Sequence, residues 1–110
     1  MSNEMNFDGV TSANWKDLPG KEVATGIFEH VLWNGDKGKR VIVFEFKAGA
    51  KFPGIEVHKF GPEQIFVISG IFNDGWKDYT EGSFIFNPIG SAHVPQSRQG
   101  CVVLVTYPEG

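Results

Sequence analysis

An all-β fold is what the sequence predicts, and three observations carry that expectation. Fourteen glycines and six prolines are scattered along the 110 residues as punctuation rather than gathered into one linker. Between them lie short runs rich in Val, Ile, Phe and Thr, the residue types that suit a pleated, half-buried surface. No stretch of useful length carries a helical period. About nine short strands with turn signals between them point to a sandwich or small barrel.

In chain order, residues 1–20 read as a polar lead-in, with Trp15 and Leu18 expected to dock onto the body. Residues 22–33 read as one strand, followed by a turn at Asn34-Gly35-Asp36-Lys37-Gly38, where Asn-Gly suits positive φ. Residues 40–47 form the next strand, with Ile42, Phe44 and Phe46 on one face and Glu45 and Lys47 on the other. After the segment 48–63 come an apolar strand over 64–69, then Ile71-Phe72-Asn73 and a turn at Asp74-Gly75. Residues 78–82 lead into a strand over 83–87. Residues 93–97 and 101–107 form the last expected pair. Phe44, Phe46, Phe66, Phe84 and Phe86 alternate along these strands and read as barrel core.

A chain of 110 residues suits one domain with a real core and is too short for two, so residues 1–110 are expected to form a single domain with its barrel over 22–107. The 41% hydrophobic content and 15 aromatic residues exclude a disordered chain. Ten basic and thirteen acidic residues leave a net charge of −3 with no Lys/Arg stripe, which argues against nucleic acid as a partner. The single Cys101 cannot form an internal disulfide, and its apolar strand makes it a small core residue. The polar start of the chain lacks an apolar signal core, and no apolar run reaches membrane-spanning length. These features predict a cytoplasmic protein with no membrane association.

The chemistry concentrates in two segments. On a strand, residues i and i+2 share a face, so Glu56 and His58 can aim at one point, and the loop 59–62 can bring Glu63 to join them. His93 follows a Pro-x-Gly turn at Pro88-Ile89-Gly90. Two carboxylates and two imidazoles form a credible site for a divalent transition metal: Fe, Mn, Ni or Zn, among which spacing does not choose. Each residue also has a plainer reading. His93 would line a barrel mouth, His58 would be a surface histidine, Glu63 a loop acid and Glu56 an outward strand carboxylate. His30 lies outside both segments and reads as structural.

Together the segments resemble the paired motifs of the cupin superfamily, G-x5-H-x-H-x(3,4)-E-x6-G and G-x5-P-x-G-x2-H-x3-N. The second is matched by Gly82, Pro88, Gly90 and His93, with Ser97 where Asn is usual. The first is matched by His58, Glu63 and Gly70. Glu56 stands in the first His position, and Gly49 lies one residue further away than usual. A second register would place His58 in the first His position and Phe60 in the second, with Glu63 or Gln64 following. The stretch FNDGWKDYTEGSFIFNPIGSAHVPQSRQGCVVLVTY is similar to the cupin-like domain of the anti-sigma factor ChrR and its relatives. The resemblance covers roughly residues 44–107.

The resemblance implies a double-stranded β-helix, or jelly-roll, barrel holding a metal inside through His58, Glu63 and His93, with Glu56 in the remaining position. It also implies a small-molecule ligand or substrate, and a homodimer with Trp15 as an apolar anchor. Three functions follow as expectations. With a redox-active metal the chain would be a dioxygenase-like enzyme acting on a dicarbonyl or hydroxyketone. With zinc it would be an isomerase or hydrolase. Without catalysis it would be a metal- or ligand-sensing module of the ChrR kind, although it lacks a helical, Cys/His-bearing N-terminal region able to cap a sigma factor.

Overall fold

Apolar runs bounded by glycine become strands along the whole chain, as their alternation requires. The computed structural model describes residues 4–110 and contains twelve strands, with no α-helix among the described residues. The strands are β1 (Lys21–Ala24), β2 (Ile27–Asn34), β3 (Arg40–Phe46), β4 (Ala50–Lys51), β5 (Glu56–Val57), β6 (Glu63–Gly70), β7 (Phe72–Asn73), β8 (Asp78–Tyr79), β9 (Phe84–Asn87), β10 (Ala92–His93), β11 (Gln96–Ser97) and β12 (Cys101–Tyr107). They form a six-stranded sheet in the order β1-β2-β3-β12-β6-β9, a four-stranded sheet β4-β11-β7-β8 and the pair β10-β5. Every pairing is antiparallel.

Register places three apolar rows on the inner face of the large sheet. Phe46 lies opposite Cys101, Phe44 opposite Val103, and Ile42 opposite Val105, which in turn faces Ile65 and, beyond it, Ile85. Phe72 of the four-stranded sheet closes the core from the other side, meeting Phe46 edge-on at 5.8 Å between ring centroids. Each fully buried side chain of this kind contributes about 1.5–3 kcal/mol. A fourth row, at the end of the same face, is polar. Tyr107 pairs with Arg40, and Glu63 pairs with Asn87. Because Thr106 pairs with Gln64, Tyr107 falls beside Glu63. The barrel thus has a dry floor and one polar rim.

Several sequence expectations are corrected. The strand expected over 22–33 is a hairpin, with Thr25-Gly26 turning between β1 and β2 and Gly26 at φ +76°. In the next turn the positive φ values fall on Lys37 and Gly38, not on Gly35. The expected pairing of 93–97 with 101–107 does not form. Val94-Pro95 separates β10 from β11, β11 pairs with β4 and β7, and β12 lies between β3 and β6. Phe66, Phe84 and Phe86 are not core but 43, 61 and 54% exposed. Alternation establishes which residues share a face and not which face is inside. Here Phe66 stands opposite Leu104 and Phe84 on the outer side.

Trp15 and Leu18 of the lead-in do dock, while residues 1–3 lie outside the described residues. Trp15 meets His30 edge-on at 5.2 Å, and His30 Nδ1 lies 3.3 Å from the Leu18 carbonyl oxygen. His30 is thereby buried away from the other two histidines, in the structural role expected of it.

Candidate metal centre

Glu56, His58, Glu63 and His93 come from different elements and converge at the polar rim. β5 and β10 pair with Glu56 directly opposite His93, so these two side chains project from one face. His58 lies two residues beyond Glu56 and is held by backbone bonds across to Ser91 and Gly90. Glu63 opens β6, where the Asn87 amide donates to its Oε1 at 3.2 Å. The two imidazole Nε2 atoms stand 3.1 Å apart. Glu63 Oε1 lies 3.3 Å from the Nε2 of His58 and 3.4 Å from that of His93. Glu56 Oε1 lies 3.3 Å from His93 Nε2 and 3.8 Å from His58 Nε2. Among the described residues this is the one cluster of three or more potential ligand residues.

Burial and charge make the cluster unusual. The side chains of His58, Glu63 and His93 are 5, 4 and 8% exposed, and that of Glu56 is 31%. Burial, reinforced by the neighbouring Glu56 charge, pushes the Glu63 carboxyl up to about 7. Burial also lowers His58, and the facing His93 adds to that effect. His93 shifts the other way, because Glu56 and Glu63 together outweigh its desolvation. Burial works to raise Glu56 as well, yet His93 and His58 hold it below the ordinary carboxylate range. Tyr107, missed in the sequence analysis, stands beside Glu63 across β12 and β6, and burial next to both carboxylates drives its phenol upward. Its place after Cys101, Val103 and Val105 in the inward series of β12 was the available signal.

A buried acid with a raised folded-state pKa retains a proton that the unfolded chain releases. Glu63 therefore costs the metal-free protein stability as pH rises from about 4.5 to about 7, on the order of 3 kcal/mol in full. The raised His93 acts in the same direction, since its contribution is lost as pH rises through its folded pKa. The lowered His58 opposes them, its cost being relieved as pH rises to about 6.5. Two groups against one set the sign. The metal-free melting temperature is expected to be lower at pH 8 than at pH 5.5, with a divalent metal restoring it at pH 8. A metal-free melting temperature that climbs over this interval would contradict the assignment.

The donor set suits a divalent cation. Tetrahedral ligand atoms about 2.0–2.2 Å from a common point lie about 3.3–3.6 Å from one another, and the donor pairs that involve a histidine stand 3.1–3.8 Å apart, with all four donors within 4.8 Å. Two carboxylates balance a 2+ charge, and the carboxylates and imidazoles are ligands that Fe, Mn, Ni and Zn all accept. Phe60, the ligand position of the second register, is 90% exposed and outside the cluster, so Glu56 occupies the fourth corner.

Behind the cluster, a cavity of about 60 Å³ is walled by Phe44, Phe46, Phe52 and Phe72 and reaches Glu56, Glu63 and His93. Residues 8–108 match the ChrR cupin-like domain family. The chain belongs to that family. No curated protein matches it. Among solved structures, a chain of the Rhodobacter sphaeroides complex of SigE with the anti-sigma ChrR superposes with a TM-score of 0.73 at 19% identity, over 86% of this chain. This protein spans half the length of that chain. An RmlC-like cupin from Shewanella frigidimarina gives 0.76 at 18% identity, covering 93% of both chains. The acetylacetone dioxygenase of Acinetobacter johnsonii gives 0.76 at 14% identity, covering 98% of this chain and 78% of the other. At these identities the likeness establishes the cupin fold, while the ChrR-like family match extends across nearly the whole sequence.

Proposed function

We propose that this ChrR-like cupin is a metal-dependent enzyme that acts on a small organic molecule, with Glu56, His58, Glu63 and His93 holding the metal. The observation that carries this reading is the union of four converging donors with an apolar cavity directly behind them. A purely structural ion would have no need of an adjoining pocket. A redox-active metal held by Glu56, His58, Glu63 and His93 would be open to chelation by a dicarbonyl or hydroxyketone and would supply activation towards O₂, the reaction class that the name of the Acinetobacter protein suggests.

The chain's own residues supply the rest. Asn87 orients Glu63 through a hydrogen bond, and Tyr107 packs beside it. The phenylalanine walls suit a short apolar group, since a cavity of about 60 Å³ has room for only a few water-sized groups. Cys101 takes no part, because burial raises its thiol to about 11.

The test is metal analysis of protein purified without chelators, followed by oxygen uptake with a 1,3-dicarbonyl after loading Fe, Mn, Ni or Zn separately. Stoichiometric metal with uptake confined to a redox-active ion supports the enzyme. Stoichiometric metal with no turnover favours the second reading, a ligand-sensing module, which the ChrR family match supports. Absence of bound metal under every loading condition removes the enzyme and leaves a ligand-sensing module without metal.

A further inference from the structure

The four-donor centre has a second approach, from outside the barrel. A groove of about 270 Å³ runs past Glu56, His58 and Tyr107 and is bordered by Arg40, Lys59 and Phe60. Glu56 and Tyr107 line both this groove and the inner cavity, so they stand between the two spaces. Arg40 belongs to the same inner-face row as Tyr107, and its guanidinium carbon lies 5.5 Å from the Tyr107 ring centroid. Tyr107 is next to Glu63 across β12 and β6, so Arg40 sits two strand spacings from Glu63, about 10 Å between backbones. Neither Arg40 nor Lys59 forms an ion pair with a described residue.

A cation fixed over an aromatic ring, at one end of a groove that leads to the site, is suited to bind an anion. The exposed Phe60 and half-exposed Val57 supply apolar surface along the way. We propose that the groove binds a small organic carboxylate, its charged group on Arg40 and its apolar body along Phe60 and Tyr107, directed towards the four-donor centre. The proposal deepens the functional reading by naming an anionic substrate class, and it rests on that reading only in making the centre the place of reaction. The anion site itself needs no metal. Glu56 repels anions from the same groove, so a preference for charge has to come from the cationic side.

The experiment compares phenylacetate with its neutral isostere phenylacetamide, titrated into isotope-labelled, metal-free protein and followed by NMR. A guanidinium–carboxylate hydrogen bond predicts binding of phenylacetate about tenfold tighter or more, with shifts at Arg40, Phe60 and Tyr107. R40M is expected to abolish the preference and R40K to retain most of it, and a dispersed spectrum verifies that each variant is folded. Equal binding of the two probes, no groove shifts with phenylacetate, or a preference undiminished in R40M overturns the proposal. Metal stoichiometry measured separately on the same variants keeps the two readings apart. Failure of the wild type to bind metal would defeat the proposed function and leave the carboxylate preference readable.

Discussion

Replacing His93 with alanine is expected to lower divalent-metal affinity by about a hundredfold or more while leaving the barrel folded. The loss is large because His93 Nε2 lies within 3.4 Å of donor atoms from all three other members of the cluster. Removal of the ring also leaves Glu56 and Glu63 with His58 as the one imidazole beside them. The fold survives because β10 is held by its backbone pairing with β5, and His93 is not part of the hydrophobic core. Calorimetric titration with Mn or Zn, alongside circular dichroism, checks both halves of the expectation. His30→Ala serves as the comparison, since His30 lies under the lead-in and is expected to leave metal affinity unchanged. An H93A protein with stoichiometric, tightly held metal would place the ion elsewhere.

The second large effect is on stability. Gly70→Ala is expected to cost about 3 kcal/mol or more and to lower the melting temperature by about 13 °C or more. Gly70 closes the first motif at φ +74°, a conformation that costs a residue bearing a Cβ about 1–2 kcal/mol. A methyl group there would also press on the Gly100 carbonyl and come within 2.8 Å of Cys101 Cα. Both obstacles are backbone on β12 or its approach, so neither can rotate away. Gly82, which opens the second motif, makes the useful contrast. It has φ +90° and open space, with nothing within 4 Å of where an alanine methyl would sit, so Gly82→Ala carries the backbone cost alone. Thermal melts that show G70A no more damaging than G82A would remove the steric explanation.

Much of the site was legible from residue types and spacing. Glu56 and His58 share a face because strand periodicity is two, and His93 follows a turn whose Pro-x-Gly pattern ends the preceding strand. The motif spacing from His58 to Glu63 and on to Gly70 singled out the carboxylate that proves to be nearly buried. Tyr107, Asn87 and Arg40 were missed. Each carries an ordinary side chain at a strand end, and what gathers them is the pairing of β12 with β3 and β6 and of β6 with β9.

Residue types and spacing alone were enough for the all-β class, most of the turns and the four residues able to meet at one point. These depend on local quantities: backbone freedom at glycine, side-chain alternation and donor chemistry over a few residues. Which face of each strand is inside emerges with the packed barrel. Phe44 and Phe46 turn inward, while Phe66, Phe84 and Phe86 turn outward. The same packing sets β12 at the middle of the large sheet, carrying Tyr107 to the rim beside Glu63. The physical reason is that long-range register is set by the joint burial of many side chains. A one-residue slip exchanges inside for outside along a whole strand, and no short stretch of sequence records that choice.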